Sequence, residues 1–114
     1  KKIKVIDRFI HYVIFKNKNK IWMSQRFEND IWKELFEFCN IQKYSHLKFE
    51  PEYSIRKKHV LTHQRLEIQV DVVDSFVEIE GGEWYSAAEV EILPKPIVLA
   101  NIINELREII FSQY

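Results

Sequence analysis

Three observations place the 114-residue chain in the α+β class. Residues 7–15 set Phe9, His11, Val13 and Phe15 against Ile10, Tyr12 and Ile14, so both faces are largely apolar, the pattern of a central strand. Residues 66–72 alternate Leu66, Ile68, Val70 and Val72 with Glu67, Gln69 and Asp71, which predicts a longer strand with one wet face. Near the C terminus Val98, Leu99, Ile102, Ile103, Leu106, Ile109 and Ile110 recur every three or four residues, the apolar stripe of a helix that packs on a sheet. Strands followed by a terminal helix, with no internal repeat or low-complexity tract, describe one α+β domain spanning 1–114.

The remaining elements follow in order. The polar run 16–20 is a turn, and residues 21–25 return from it as the second strand of a hairpin. Residues 29–38 satisfy neither the helix nor the strand period and read as a packed loop or a short strand. Gly81 and Gly82, the only glycines, mark a turn. Ser86-Ala87-Ala88-Glu89 has the spacing of a capping box, in which the serine caps a helix and the glutamate reaches back to its amide, so a short helix starts there. Leu93-Pro94-Lys95-Pro96 ends it before the C-terminal helix begins.

Composition narrows the function. At 46% hydrophobic and 14% aromatic the chain can build a core of its own. Seventeen Lys and Arg balance seventeen Asp and Glu, so tight polyanion binding by the whole surface is excluded and any nucleic-acid contact must come from a patch. One cysteine, Cys39, rules out an internal disulfide and a cysteine-built zinc or iron–sulfur site, reads as a small buried hydrophobe, and fits a reducing compartment. No apolar run approaches a membrane span and no signal-peptide pattern is present, so no membrane partner is expected. A start at Lys1 without Met points to a piece of a longer chain, with Lys1, Lys2 and Lys4 in a solvated linker.

The charge is unevenly placed. Arg56-Lys57-Lys58-His59-Val60-Leu61-Thr62-His63-Gln64-Arg65 holds four permanent cations and two histidines, whereas residues 66–94 hold eight acids and no Lys or Arg. Such asymmetry suits one face to phosphate, against the plainer reading of a solvated strand end and turn. Residues 1–26 add eight basic residues and one acid, a second region for phosphate contact.

In order and spacing these signals resemble the C-terminal, Nudix-like domain of MutY-type adenine DNA glycosylases over nearly the whole chain. The residues that carry the resemblance are Arg8-Phe9 entering the first strand, residues 21–26 as the second, and residues 29–38 where the family has a Gly-Leu-Trp-Glu-Phe-Pro-like run. His59-Val60-Leu61-Thr62-His63 is similar to its His-x-Phe-(Ser/Thr)-His loop, and Trp84 through Leu93-Pro94-Lys95-Pro96 to its tryptophan, short helix and Leu-Pro-x-Pro junction. Glu34, Phe36, Cys39 and Leu61 stand where the family has Gly, Trp, Pro and Phe.

The resemblance implies a Nudix-like mixed β-sheet with a short helix and a C-terminal packing helix. It implies a domain that inspects 8-oxoguanine opposite adenine in double-stranded DNA, with no catalytic or metal residues of its own. A separate N-terminal catalytic domain of the same chain would excise the adenine and hold a 4Fe–4S cluster, in a cytoplasmic, DNA-associated protein. Thr62 is the implied lesion reader, because one hydroxyl can both accept and donate. The alternative role is satisfying a backbone group of its own turn. Leu61, His59, His63, Gln64, Lys57, Lys58 and Arg65 complete the expected DNA-binding set, the histidines positioning phosphate or shaping the loop.

Two other classes compete. A Nudix hydrolase needs a helix presenting several glutamates to divalent metal. Lys33-Glu34-Leu35-Phe36-Glu37-Phe38 imitates part of that box, but the required early glycine and glutamate fall at Asn19 and Gln25, the last glutamate at Phe38 and the closing glycine at Asn40. Glu34 and Glu37 are therefore expected as surface charge. A noncatalytic protein-interaction domain would show a large exposed apolar patch away from Thr62. Trp22, Trp32 and Trp84, each among apolar neighbours, are expected in core or interdomain packing.

Overall fold

A computed structural model describes residues 4–44 and 46–111. The element order is β1 (Ile6–Asn17), β2 (Lys20–Gln25), β3 (Phe36–Glu37), β4 (Cys39–Asn40), a 3-10 turn (Ile41–Lys43), β5 (Tyr53–Val60), β6 (Gln64–Asp74), β7 (Gly82–Ser86), α1 (Ala87–Ile92) and α2 (Ile97–Ile110). All seven strands join one mixed sheet along the path β3-β2-β1-β6-β5, with β4 on β1 and β7 on β2. β1 and β6 run parallel over eleven paired positions, from Ile6 opposite Gln64 to Lys16 opposite Asp74. The other pairings are antiparallel. The expected α+β mixed sheet with a short and a terminal helix is what forms.

β1 is apolar on both faces because both are covered. Ile10, Tyr12 and Ile14 join Leu66, Ile68, Val70 and Val72 of β6 under α2, which buries Val98, Leu99, Ile102, Ile103, Leu106 and Ile110 against them. Each such side chain contributes roughly 1.5–3 kcal/mol of transfer free energy. Val13 and Phe15 point the other way, into a second cluster with Trp22, Cys39, Ile41 and Val73 that loop residues such as Leu47, Phe49, Val77 and Ile79 cover. Cys39 is fully buried, and burial followed by the nearby Glu37 charge pushes its thiol up to about 12, so it is chemically inert.

Turn chemistry fixes the ends. Lys18 and Asn19 have φ of 51° and 60°, the left-handed pair that a two-residue hairpin turn needs to match strand twist. At Gly82 a Cβ would lie 2.6 Å from the Met23 carbonyl oxygen and from Trp22 Cε2, so the β2–β7 approach requires glycine. The capping box forms as read: Glu89 Oε1 accepts from the Ser86 amide at 2.8 Å and Ser86 Oγ from the Glu89 amide at 3.3 Å.

Several expectations change. β5 and β7 are additional strands, and the cation-rich segment is the end of β5 with its turn, the plainer of the two readings of that segment. Residues 29–38 agree with their reading as loop and short strand: a four-residue turn, 31–34, leads into the two-residue β3. Glu37 is not surface charge: it is 3% exposed, whereas Glu34 is exposed. Trp22 is buried, while Trp32 and Trp84 are half-buried. Lys1 and Lys2 lie outside the described residues, and Lys4 is exposed.

Candidate nucleic-acid interface

β5 and β6 meet in a tight hairpin whose last paired positions are Val60 opposite Arg65. The Leu61 amide donates to the Gln64 carbonyl at 2.7 Å, and the Gln64 amide to the Leu61 carbonyl at 3.4 Å, leaving Thr62 and His63 as the exposed two-residue tip. The His63 carbonyl accepts from the Ile6 amide at 3.0 Å, which ties the tip to the start of β1. Thr62 is thus held exposed on an anchored backbone. Leu61 turns inward and packs half-buried at the edge of the α2-side core.

Strand alternation sorts the remaining residues. His59 and Lys57 point to the α2 face, where the His59 ring stands 6.5 Å from that of Trp32 and Lys57 Nζ pairs with Glu105 Oε1 of α2 at 2.5 Å. Arg56 and Lys58 point to the opposite face. There Arg56 donates to Glu67 Oε2 at 2.5 Å and to Gln69 Oε1 at 2.9 Å, while Arg65 clasps both Asp7 oxygens at 2.8 and 3.2 Å. Three of the four cations are therefore neutralised within the fold. Among the described residues, Lys58 alone of the four has no carboxylate within 4.0 Å. β5 is also the outer strand of the sheet, where charged side chains block pairing with a stray strand. Part of the basic cluster is thus explained by edge protection.

A second segment, missed in the sequence, supports the hairpin. Arg8 of β1 donates to Gln64 Oε1 at 3.3 Å and to both Asp30 oxygens, at 2.9 and 2.5 Å. Asp30 also receives Arg26 Nη2 at 3.1 Å, and the hydrogen bonds from Arg8 hold its carboxyl well below the usual range despite some burial. Arg26 continues inward to Glu37 Oε1 at 2.8 Å, which accepts in turn from the Tyr12 hydroxyl at 2.8 Å. Burial, then the Glu37 charge, pushes the Tyr12 phenol far up, so it stays a donor. These contacts span up to 56 residues of sequence, so no local pattern announces them.

Another polar cluster lies on the face away from α2. Asp71, 2% exposed, accepts from Ser54 Oγ at 2.7 Å and Gln69 Nε2 at 3.2 Å, and its other oxygen meets His11 Nε2 at 2.7 Å. Burial would raise the Asp71 carboxyl, and these hydrogen bonds overcome it, leaving it below its ordinary value. The serine proton is directed at the carboxylate rather than the imidazole, so the arrangement is structural and not a nucleophilic triad.

The sequence matches the NUDIX domain over residues 10–105, most of the chain. This chain belongs to the NUDIX domain family. No curated protein matches it. Among solved structures it is similar to the E. coli ORF135 protein, with a TM-score of 0.65 at 12% identity covering 96% of each chain. It is similar also to the C-terminal domain of mouse MUTYH, solved in complex with human PCNA, at 0.65 and 9% identity over 88% of this chain and 87% of that one. The NUDIX domain of Shewanella oneidensis NrtR, complexed with ADP ribose, matches at 0.54 and 11% identity over 95% and 89%. At such identities the likeness is one of fold.

Within this NUDIX domain the positions that would form a metal box do not share a helix. Asn19 is in the β1–β2 turn, Gln25 ends β2, Phe38 is fully buried and Asn40 lies in β4. Between β2 and β5 the only helical turn among the described residues is Ile41–Lys43, which carries no acid in its first turn. Among the described residues no three His, Cys, Asp or Glu side chains converge to hold a metal ion. Among the described residues no helix is long and apolar enough to cross a membrane. Glu34 has φ of 69°, the conformation for which glycine is favoured.

Proposed function

We propose that this NUDIX domain is the lesion-recognition domain of a MutY-type adenine DNA glycosylase, cytoplasmic and DNA-associated, that reads 8-oxoguanine opposite adenine. The adenine is excised by a separate N-terminal catalytic domain that carries the 4Fe–4S cluster. The observation that carries this reading is the exposed position of Thr62 on its anchored two-residue tip. The fold likeness to the mouse MUTYH C-terminal domain supports it, as does the lack, among the described residues, of a carboxylate-bearing helix between β2 and β5.

The chemistry matches the lesion. Oxidation turns the N7 acceptor of guanine into an N7–H donor and adds an oxygen at C8. A threonine hydroxyl can accept from the first and donate to the second. His63 beside it and Lys58 below it supply phosphate contacts that set register without reading sequence. Because three of four cations are already paired, these contacts add little affinity, and most DNA binding falls to the catalytic domain.

Thr62→Ala in the full-length enzyme tests the reading. Preference for adenine opposite 8-oxoguanine over adenine opposite guanine should fall roughly ten- to hundredfold, as expected for losing about 1–3 kcal/mol of base-edge contact. Thr62→Ser should retain most of it. Equal slowing on both substrates would make Thr62 a general positioning residue. Magnesium- or manganese-dependent hydrolysis of nucleoside diphosphate derivatives, lost in Glu34→Gln, would favour a Nudix hydrolase instead.

A further inference from the structure

The loops that cover the face away from α2 stop short of the hairpin. Phe49 reaches His11, ring centroids 6.4 Å apart, but two residues earlier in β1 Phe9 is left 43% exposed. Beyond it a cleft of about 500 Å³ runs along the bare sheet, lined by Asp7, Phe9, Lys58, Val60, Arg65 and Glu67 among others. Its walls are fixed. Arg65 is clasped by Asp7, and Arg56 lies over the Phe9 ring, 5.8 Å from its centroid, while bonded to Glu67 and Gln69. The cleft therefore offers one aromatic surface, an apolar rim at Val60, which is 70% exposed, and Lys58, opposite Glu67 in register but, among the described residues, with no carboxylate within 4.0 Å.

One ring and one positive charge select one ligand chemistry. We propose that this cleft is a second, sequence-tolerant DNA subsite that takes one unstacked nucleotide, its base stacked on Phe9 beside Arg56 and its phosphate on Lys58. Aromatic faces on an open sheet bind bases of any sequence because every base has a π-face, and a neighbouring guanidinium adds cation–π attraction. Lys58 and Val60 lie on β5, next to the tip that presents Thr62, so a strand meeting the tip can continue into the cleft. The subsite deepens the proposed function, since it serves the same DNA that the tip reads.

The test is titration of the protein with a 5′-phosphorylated dinucleotide of 2-aminopurine and thymine, followed by 2-aminopurine fluorescence and by amide chemical shifts. Stacking should quench the fluorescence and move the amides of Phe9, Lys58 and Arg65. Phe9→Leu should weaken binding roughly tenfold and Phe9→Tyr should restore it, since base–aromatic stacking is worth on that order. Lys58→Gln should abolish the advantage of the phosphorylated probe over the unphosphorylated one. Shifts confined to residues 61–64, or equal binding by Phe9→Leu and the unaltered protein, would overturn the subsite. If Thr62→Ala removes lesion preference while Phe9 shows no shift, the tip reading stands and the cleft falls. The converse result keeps the cleft and removes the lesion assignment.

Discussion

Arg26 and Glu37 form an ion pair inside the domain, Nη1 to Oε1 2.8 Å apart, with side chains only 3% and 4% exposed. Arg26 leads on to Asp30 and to the Ile31 carbonyl, and Glu37 to Tyr12, so the pair joins the sheet interior to the loop beside the hairpin. Removing one charge leaves the other buried without compensation, which typically costs about 3–5 kcal/mol. Glu37→Gln should therefore lower the unfolding free energy by that order, read from urea denaturation as a lower midpoint at unchanged m. Replacing both charges, as Arg26→Met with Glu37→Leu, should recover much of the loss. A double variant as unstable as the single one would show that hydrogen bonds rather than charge hold this region.

Backbone conformation gives a prediction of opposite sign. Glu34 is exposed at φ of 69°, and its carbonyl, which accepts from Gln25 Nε2 at 2.8 Å, survives any substitution. A residue with a Cβ in this region costs about 1–2 kcal/mol, from which glycine's greater unfolded-state entropy subtracts roughly 0.5–1 kcal/mol. Glu34→Gly should raise the melting temperature by a few degrees and Glu34→Ala should not. Gly82→Ala should lower it, since the new Cβ meets the Met23 backbone and Trp22. Equal effects of Gly and Ala at position 34 would trace any change to lost charge instead.

Acid should loosen the clamp on the hairpin. The Asp30 carboxyl is depressed in the folded state by hydrogen bonds from Arg8. Its contribution to stability is fully present above its unfolded value near pH 4 and is lost as pH falls through the lower folded value. Asp30→Asn should therefore destabilise the domain at neutral pH by about 1–2 kcal/mol, discounted for the partial exposure of both partners, and the two unfolding curves should converge as pH is lowered. Parallel curves across the acid range would assign the acid sensitivity to other carboxylates.

What the sequence disclosed follows from how locally each signal is encoded. β1, β6 and α2 are legible because their burial is periodic within one element, as in Leu66, Ile68, Val70 and Val72. β5 is not, because as an outer strand it places charge on both faces, Lys57 toward α2 and Arg56 and Lys58 away from it. Glu37 reads as solvated because its partners, Tyr12 and Arg26, arrive from other strands. At the site, the loop motif located Thr62 and His63 at a tip, but the pairing of Arg56, Lys57 and Arg65 depends on β6, α2 and β1 and is invisible to a count of cations.

That pairing separates two adjacent lysines that composition treats alike. Lys57 points to the α2 face and holds Glu105, in a half-exposed pair worth at most about 1 kcal/mol. Lys58 points to the cleft side with no carboxylate within reach among the described residues. Under the proposed function, Lys58→Ala should weaken binding to lesion and undamaged duplexes alike and reduce the slope of log affinity against log salt by about one, the signature of a lost phosphate contact. Lys57→Ala should leave that slope unchanged while slightly lowering stability, because its charge is already spent on the helix. Equal slope changes for the two variants would mean that DNA breaks the Lys57–Glu105 pair on binding. An unchanged slope for both would turn this edge of the sheet away from DNA altogether.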